Sequence, residues 1–197
     1  MEENQENSLL YKEVEIPADF YNTLTNHHFT ECTICNTHFD EDSMYLIEKA
    51  CKRVNSGFVH TIFEYSICMD CAAGFNEKMS KKSLEAMQHF MLLNSNITKQ
   101  RKKLAEEDAD YSNWLSHCIV NSSSIESLTE YNICGMFRGD KMMLGDFPYM
   151  MSLEAMEQMV EILSKETKEE LDNFKRTHID GPPEFEELFK RRPILVG

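Results

Sequence analysis

The chain contains 197 residues, with 34 acidic against 20 basic side chains and a formal net charge of −14 at pH 7. A protein that binds nucleic acid through its phosphates needs a basic surface, so this balance argues against general nucleic-acid binding. Hydrophobic residues make up 42% of the chain, enough for one domain or two small ones with a core. The N-terminus lacks the basic start and apolar stretch of a signal peptide, and no segment has the apolar length of a membrane helix. We therefore expect a cytoplasmic protein.

The first predicted element is a β-hairpin. It follows a polar lead-in over residues 1–27, in which we expect some order around Phe20. Residues 44–54 and 58–67 have the aromatic and β-branched character of strands. The Asn-Ser-Gly sequence between them tolerates positive φ and favours a tight turn.

Helices are predicted on the C-terminal side of this hairpin. The segment after residue 71 has no strand character and predicts the first turns of a helix, followed by a second helix from residue 80 or 81 to about 93. A charged segment over about 98–117 predicts a third helix. We divide the chain into five parts: the lead-in over 1–27, a four-cysteine zinc-binding unit over 28–80, a helical connector over 81–117, a second hairpin–helix unit over 118–180, and a short helix with a tail over 181–197.

Four of the seven cysteines form two Cys-x-x-Cys pairs separated by 32 residues, Cys32 with Cys35 and Cys68 with Cys71. Each short loop brings two thiolates toward one centre, and two loops complete the tetrahedron of sulfurs found at structural zinc. Four thiolates leave no open position for water, so we expect one structural zinc ion and no catalysis at the metal. A redox dithiol predicts a thioredoxin-like βαβ context, which is missing here, and symmetric pairs beside a hairpin favour zinc over an iron–sulfur cluster.

A cysteine knuckle, a hairpin and a second cysteine pair at a helix N-terminus together resemble the treble-clef-like zinc fingers with four cysteine ligands, as in LIM-type domains. A zinc ribbon, the related type, would place the second pair in another hairpin. The resemblance covers about residues 30–80 and implies an α+β fold in which zinc clamps the hairpin to the helix. The positive end of the helix would stabilise the thiolates of Cys68 and Cys71. The whole chain resembles no characterised family.

The later part of the chain repeats this plan in outline. Tyr45 lies thirteen positions after Cys32, and Tyr131 lies thirteen positions after Cys118. With a second hairpin two residues shorter, the four cysteines align with Cys118, Asn121, Ser152 and Ala155. Such a degenerate repeat would keep the scaffold and lose three of four ligands. Its helix would start at Ser152, a favourable N-cap residue, and we expect it to continue to about residues 174–176. The alternative is a chance likeness, because a hairpin followed by a helix is a common arrangement.

Two weaker candidate sites remain. Free buried cysteines behave as small apolar residues, which is the default for Cys51, Cys118 and Cys134. The alternative for two of them, Cys118 and Cys134, is a second metal site with His117. Seven of the 13 methionines lie between residues 136 and 159, where core packing is the favoured explanation. Methionine also lines adaptable binding surfaces, and the candidates for a partner surface are Met142, Met143, Met150 and Met151.

No catalytic signature accompanies the cysteines. The sequence has no His-Glu-x-x-His helix, no Gly-x-Ser-x-Gly elbow, no phosphate-binding glycine loop and no zinc-deaminase motif. We predict a non-enzymatic, zinc-binding module for protein interaction or regulation, with a protein partner, no membrane association and an oligomeric state left open. One alternative is a nucleic-acid-associated finger that uses Lys49, Lys52 and Arg53 with the basic residues of 99–103. The other is a thiol redox or metal-sensing protein with exposed, low-pKa cysteines.

Overall fold

The structure is a computed structural model that describes residues 12–54, 57–94 and 110–179. Within these residues six strands form one antiparallel sheet, namely β1 (Lys12–Glu15), β2 (Met44–Arg53), β3 (Val59–Cys68), β4 (Glu130–Arg138), β5 (Lys141–Leu144) and β6 (Tyr149–Ser152). The helices are α1 (Met69–Asn76), α2 (Lys81–Asn94), α3 (Ser112–Leu115), α4 (Leu153–Glu161) and α5 (Lys165–His178). Helices beside an antiparallel sheet confirm the α+β class. None of the described helices has the length and apolar character needed to cross a membrane.

The strand order is β1-β5-β4-β2-β3, and β6 pairs with the first half of β4. The centre of the sheet is the antiparallel pairing of β2 with β4, from Met44 opposite Arg138 to Lys52 opposite Glu130. The two hairpin units expected from the sequence therefore share one sheet.

Side chains alternate between the two faces of the central strands. Tyr45 and Ile47 face a core that includes Phe137 and the fully buried Phe20, whose ring meets that of Phe137 edge-on at 5.2 Å. This contact confirms the order expected near Phe20. The alternate residues Leu46 and Ala50 face a second core, which is covered by the helices.

The predicted elements of the first half are confirmed closely, because β2, β3, α1 and α2 begin and end within a few residues of the expected positions. The part of the lead-in that the structure describes, from residue 12, contains a strand that was not expected, β1, which pairs with β5. The charged helix expected over 98–117 is described only from residue 110, where a single turn, α3, buries Trp114 and Leu115.

The second half departs from the prediction at one position. We expected the helix that starts at Ser152 to continue to residues 174–176, and that expectation is wrong. The helix ends at Glu161, and α5 begins after Ser164, whose hydroxyl accepts a hydrogen bond from the Thr167 N–H at 3.3 Å. The first backbone N–H groups of a helix have no carbonyl partner within that helix. A serine N-cap favours the start of a helix because its hydroxyl accepts a hydrogen bond from one of these N–H groups. The short helix and tail expected over 181–197 lie outside the described residues.

Candidate metal centre

The first cysteine pair lies in a tight knuckle between residues 32 and 37. The Cys32 N–H donates to the Thr37 carbonyl at 2.9 Å, and the Asn36 N–H donates to the Cys32 carbonyl at 2.8 Å. Asn36 has a φ of +57°, a left-handed conformation that asparagine adopts more readily than most residues. A further bond of 2.8 Å, from the Thr33 N–H to the Ser66 carbonyl, holds the knuckle against β3.

The second cysteine pair lies where β3 becomes α1. Cys68 is the last residue of the strand and the N-cap of the helix, and Cys71 lies in the first helical turn. The backbone N–H groups at this helix start give the position a partial positive charge, which favours thiolates. The strand and helix thus place both sulfurs beside the knuckle.

The four sulfurs lie within 4.8 Å of one another, and the Cys35 and Cys68 sulfurs are 3.8 Å apart. A zinc ion bound to four thiolates has Zn–S distances of about 2.3 Å, so the edges of its sulfur tetrahedron are about 3.8 Å long. The donor set and its spacing therefore fit a four-coordinate zinc ion.

Backbone donors support one sulfur of this cluster in particular. The Ile34 and Cys68 N–H groups each point at the Cys32 sulfur, both at 3.4 Å. Such outer hydrogen bonds orient metal ligands and stabilise the charged form of a thiolate. The Cys32 side chain is fully buried, so these N–H groups take the place of water around it.

The remaining sulfurs have unequal surroundings. Hydrogen bonding with Thr37, whose hydroxyl lies 3.2 Å from the exposed Cys35 sulfur, lowers the pKa of Cys35 to about 6. Burial raises the pKa of Cys68 and of Cys71. A divalent cation among these sulfurs would favour the thiolate form of all four. Sequence reasoning missed Thr37, and its only signal was a hydroxyl two residues after the knuckle's second cysteine.

The second metal site considered from the sequence is not supported. Within the described ranges, the four-cysteine cluster is the only group of three or more potential ligands that lie close enough to share an ion. His117 is exposed and lies beside the Ser116 hydroxyl at 2.9 Å, the Cys118 sulfur accepts from the Ser152 N–H at 3.3 Å, and Cys134 lies inside β4.

The methionines proposed as a partner surface belong to the interior. Met142 and Met150 are fully buried, and Met143 and Met151 are 5% and 1% exposed. They lie on β5 and β6, which are both hydrogen-bonded to β4 and covered on both faces. The partner-surface hypothesis for these four residues is therefore wrong, and the core-packing interpretation is right.

The basic residues of the first hairpin are engaged within the fold. Lys49 is 6% exposed, pairs with Glu64 at 3.0 Å and donates to the Tyr21 carbonyl. Lys52 pairs with Glu130 at 2.9 Å, and the Arg53 guanidinium donates to a backbone carbonyl. These three residues do not offer a cluster of free cations to phosphate. The basic residues of 99–103 lie outside the described ranges.

Comparison of the chain with protein-family models, with curated proteins and with solved structures returned no match.

Proposed function

We propose that Cys32, Cys35, Cys68 and Cys71 hold one structural zinc ion in a treble-clef-like finger, and that the protein is a non-enzymatic module for protein interaction or regulation. The observation that carries this proposal is the spacing of the four sulfurs, which matches the edge of a zinc–thiolate tetrahedron. The order of knuckle, hairpin and helix supports the treble-clef assignment.

A structural role follows from the chemistry of the donor set. Four thiolates saturate a tetrahedral ion and leave no position for water or substrate. The ion would join the knuckle to the end of β3 and the start of α1, in addition to the hydrogen bonds between the knuckle and β3. Metal binding would then contribute directly to the folding free energy of this region.

Interaction with a protein is the role most consistent with the surface chemistry. The formal charge is −14, and the hairpin cations that a nucleic-acid finger would use are paired with carboxylates or backbone carbonyls. A protein partner that binds this acidic surface would carry complementary basic groups. The cysteine usage also favours a reducing compartment, in keeping with the cytoplasmic expectation.

One observation favours a thiol redox function as the second candidate. Cys35 is exposed and has a pKa lowered to about 6, and reactive cysteines share both properties. In that function the Cys35 thiolate would be oxidised by a peroxide or a disulfide and would pair with a neighbouring cysteine of the cluster.

Elemental mass spectrometry of protein purified without added metal separates the two candidates. The zinc proposal predicts one zinc per chain, lost in Cys32→Ser and retained in Cys51→Ser, a buried cysteine outside the cluster. A folded protein without metal, whose thiols oxidise reversibly, would overturn the structural-zinc proposal and favour the redox function.

A further inference from the structure

The knuckle around Cys32 has a geometrical counterpart around Cys118, 86 positions later. The Cys118 N–H donates to the Ser123 carbonyl at 2.8 Å and the Ser122 N–H to the Cys118 carbonyl at 2.9 Å, as in the first knuckle. Ser122 has a φ of +59°, at the position where Asn36 has +57°. The Ile119 N–H donates to the Met150 carbonyl at 2.9 Å, which corresponds to the bond from Thr33 to Ser66. The backbone hydrogen bonds of the two knuckles therefore correspond one to one.

The correspondence continues through the strands and helices. Tyr45 lies opposite Cys68 in the first unit, and Tyr131 lies opposite Ser152 in the second, which is the alignment expected from the sequence. The helices α2 and α5 are both 14 residues long, and α5 begins 84 positions after α2. Counterpart residues are 86 positions apart before the hairpin turn and 84 positions apart after it, because the second hairpin is two residues shorter.

The two units are related by a pseudo-twofold axis that passes through the sheet. In the pairing of β2 with β4, Glu48 lies opposite Cys134, which is its own counterpart 86 positions later. A residue faces its own counterpart only where a twofold axis crosses an antiparallel pair. The surrounding side chains follow the same relation, because Tyr65 donates to Glu48 and Tyr149 hydrogen-bonds with Cys134.

The same axis passes between the helices. The Ser80 N–H donates to the Thr167 hydroxyl at 3.0 Å, and the Ser164 N–H donates to the Ser83 hydroxyl at 2.9 Å. These bonds are reciprocal, and the Ser80 and Ser164 hydroxyls meet each other at 2.9 Å. A cavity of about 10 Å³ is lined by Val160 and by three counterpart pairs, Phe75 with Met159, Met79 with Leu163, and Met87 with Leu171. The contact between the units is thus isologous, like the interface of a symmetric homodimer.

At the four positions that correspond to the zinc ligands, the second unit has one thiol and a set of hydrogen bonds. The Cys118 sulfur accepts from the Ser152 N–H at 3.3 Å, as Cys32 accepts from Cys68 at 3.4 Å. The Asn121 amide donates to the Ser152 hydroxyl at 3.1 Å, and the Ala155 N–H donates to the same hydroxyl at 3.3 Å. One serine therefore connects the knuckle with the helix start, the two segments that the ion would join in the first unit.

We propose that the chain is an internal duplication and that these residues occupy a latent second metal site, whose backbone still has the geometry of a four-thiolate zinc centre. Hydrogen bonds around Ser152 take over the connecting role of the ion, so the second knuckle is independent of metal. Restoring the three missing thiolates should create a zinc site there.

The test is the triple variant Asn121→Cys, Ser152→Cys, Ala155→Cys in the full chain, made in a Cys35→Ser background so that only the new site retains four thiolates. Cobalt(II) is added, because four-thiolate cobalt has intense visible and charge-transfer absorption. We expect one equivalent of four-thiolate cobalt absorption in the triple variant, displaced by zinc and missing from the Cys35→Ser parent, whose first site retains only three thiolates. Adding Cys118→Ser should abolish that four-thiolate spectrum. A folded triple variant whose cobalt spectrum does not differ from that of the Cys35→Ser parent would overturn the proposal.

If the triple variant does not fold, Ser152→Cys with Ala155→Cys and native Cys118 still supplies three thiolates from the same positions. Cadmium-113 NMR of this double variant in the wild-type background should show a second sulfur-ligated resonance beside that of the first site. Its absence in folded protein would contradict the proposal.

Hydrogen exchange of the wild-type chain after chelation tests the metal-independence of the second knuckle, a consequence that rests on the proposed zinc function. The amides of Thr33 and Cys68 should lose protection by at least tenfold, whereas those of Ile119 and Ser152 should keep it. Equal loss in both knuckles would contradict the connecting role of the Ser152 hydrogen bonds. No change in either would count against zinc in the first site, and the cobalt experiment would still decide the second.

Discussion

Replacing Cys35 by serine tests the zinc proposal with little interference from packing. The Cys35 side chain is exposed, and exposed substitutions away from special features usually change the unfolding free energy by no more than about 0.5 kcal/mol. In a metal-free protein, Cys35→Ser should therefore have almost no effect on stability. Any larger loss of stability in the presence of zinc measures the contribution of the bound metal to the unfolding free energy.

The expected loss follows from the number of ligands. Structural zinc in finger peptides binds with an apparent free energy of about 10–16 kcal/mol, so each of four thiolates accounts for about 2.5–4 kcal/mol if the contributions are shared equally. For a chain of this size, 1 kcal/mol corresponds to about 2–4 °C in the melting temperature. We therefore expect Cys35→Ser to lower the melting temperature by about 5–16 °C in zinc-containing buffer.

The assay is thermal unfolding followed by circular dichroism, with and without a strong chelator. The difference between Cys35→Ser and the wild type should disappear in the chelator, because both proteins then lack the ion. Cys51→Ser is the matched control, since Cys51 is buried outside the cluster and its substitution should destabilise equally in both buffers. Equal melting of Cys35→Ser and wild type in zinc-containing buffer would refute the assignment of Cys35 as a ligand.

Three further substitutions test packing and hydrogen bonding within the fold, each by urea unfolding. Tyr65→Phe removes a donor to the buried Glu48 carboxylate and should cost about 1–3 kcal/mol; an unchanged midpoint would contradict the importance of that bond. Ser164→Ala removes the N-cap of α5 and should lower the unfolding free energy by about 1–2 kcal/mol. An unchanged unfolding midpoint would argue against a stabilising contact between the Ser164 and Ser80 hydroxyls. Gly135→Ala places a Cβ 2.7 Å from the ring of the fully buried Phe137 and should cost about 1–3 kcal/mol through overpacking. An unchanged midpoint would contradict tight packing at this position.

The elements that the sequence predicts well are those with local signals. The hairpin of β2 and β3 follows from β-branched and aromatic runs around a turn, and Ser152 has the residue type and position of an N-cap. Strand β1 lacks such a signal, because its sequence Lys-Glu-Val-Glu has one apolar residue in four. It is a strand because β5 offers it a partner 126 to 132 residues away, a contact that no local pattern encodes.

The same distinction separates the metal centre from the other candidate sites. Each half of the cysteine cluster is a pair at fixed local spacing, so the sequence needs to predict only that two pairs meet. Exposure of Met142 and Met150 depends instead on what covers β5 and β6, which is decided by strand order across the whole chain. Methionine as a residue type is found both in cores and at binding surfaces, so the sequence alone does not decide between them.

The duplication changes what loss of the ion should do to the fold. Isolated zinc fingers are unfolded without metal, because nothing else holds the hairpin to the helix. Here β2 is paired along its length with β4, and the second unit connects its own knuckle through Ser152 rather than through an ion. Chelation should therefore open the first knuckle while β2 stays paired to a metal-independent half. Under the proposed function, this would allow the protein to change its surface at residues 32–37 in response to zinc without unfolding the sheet.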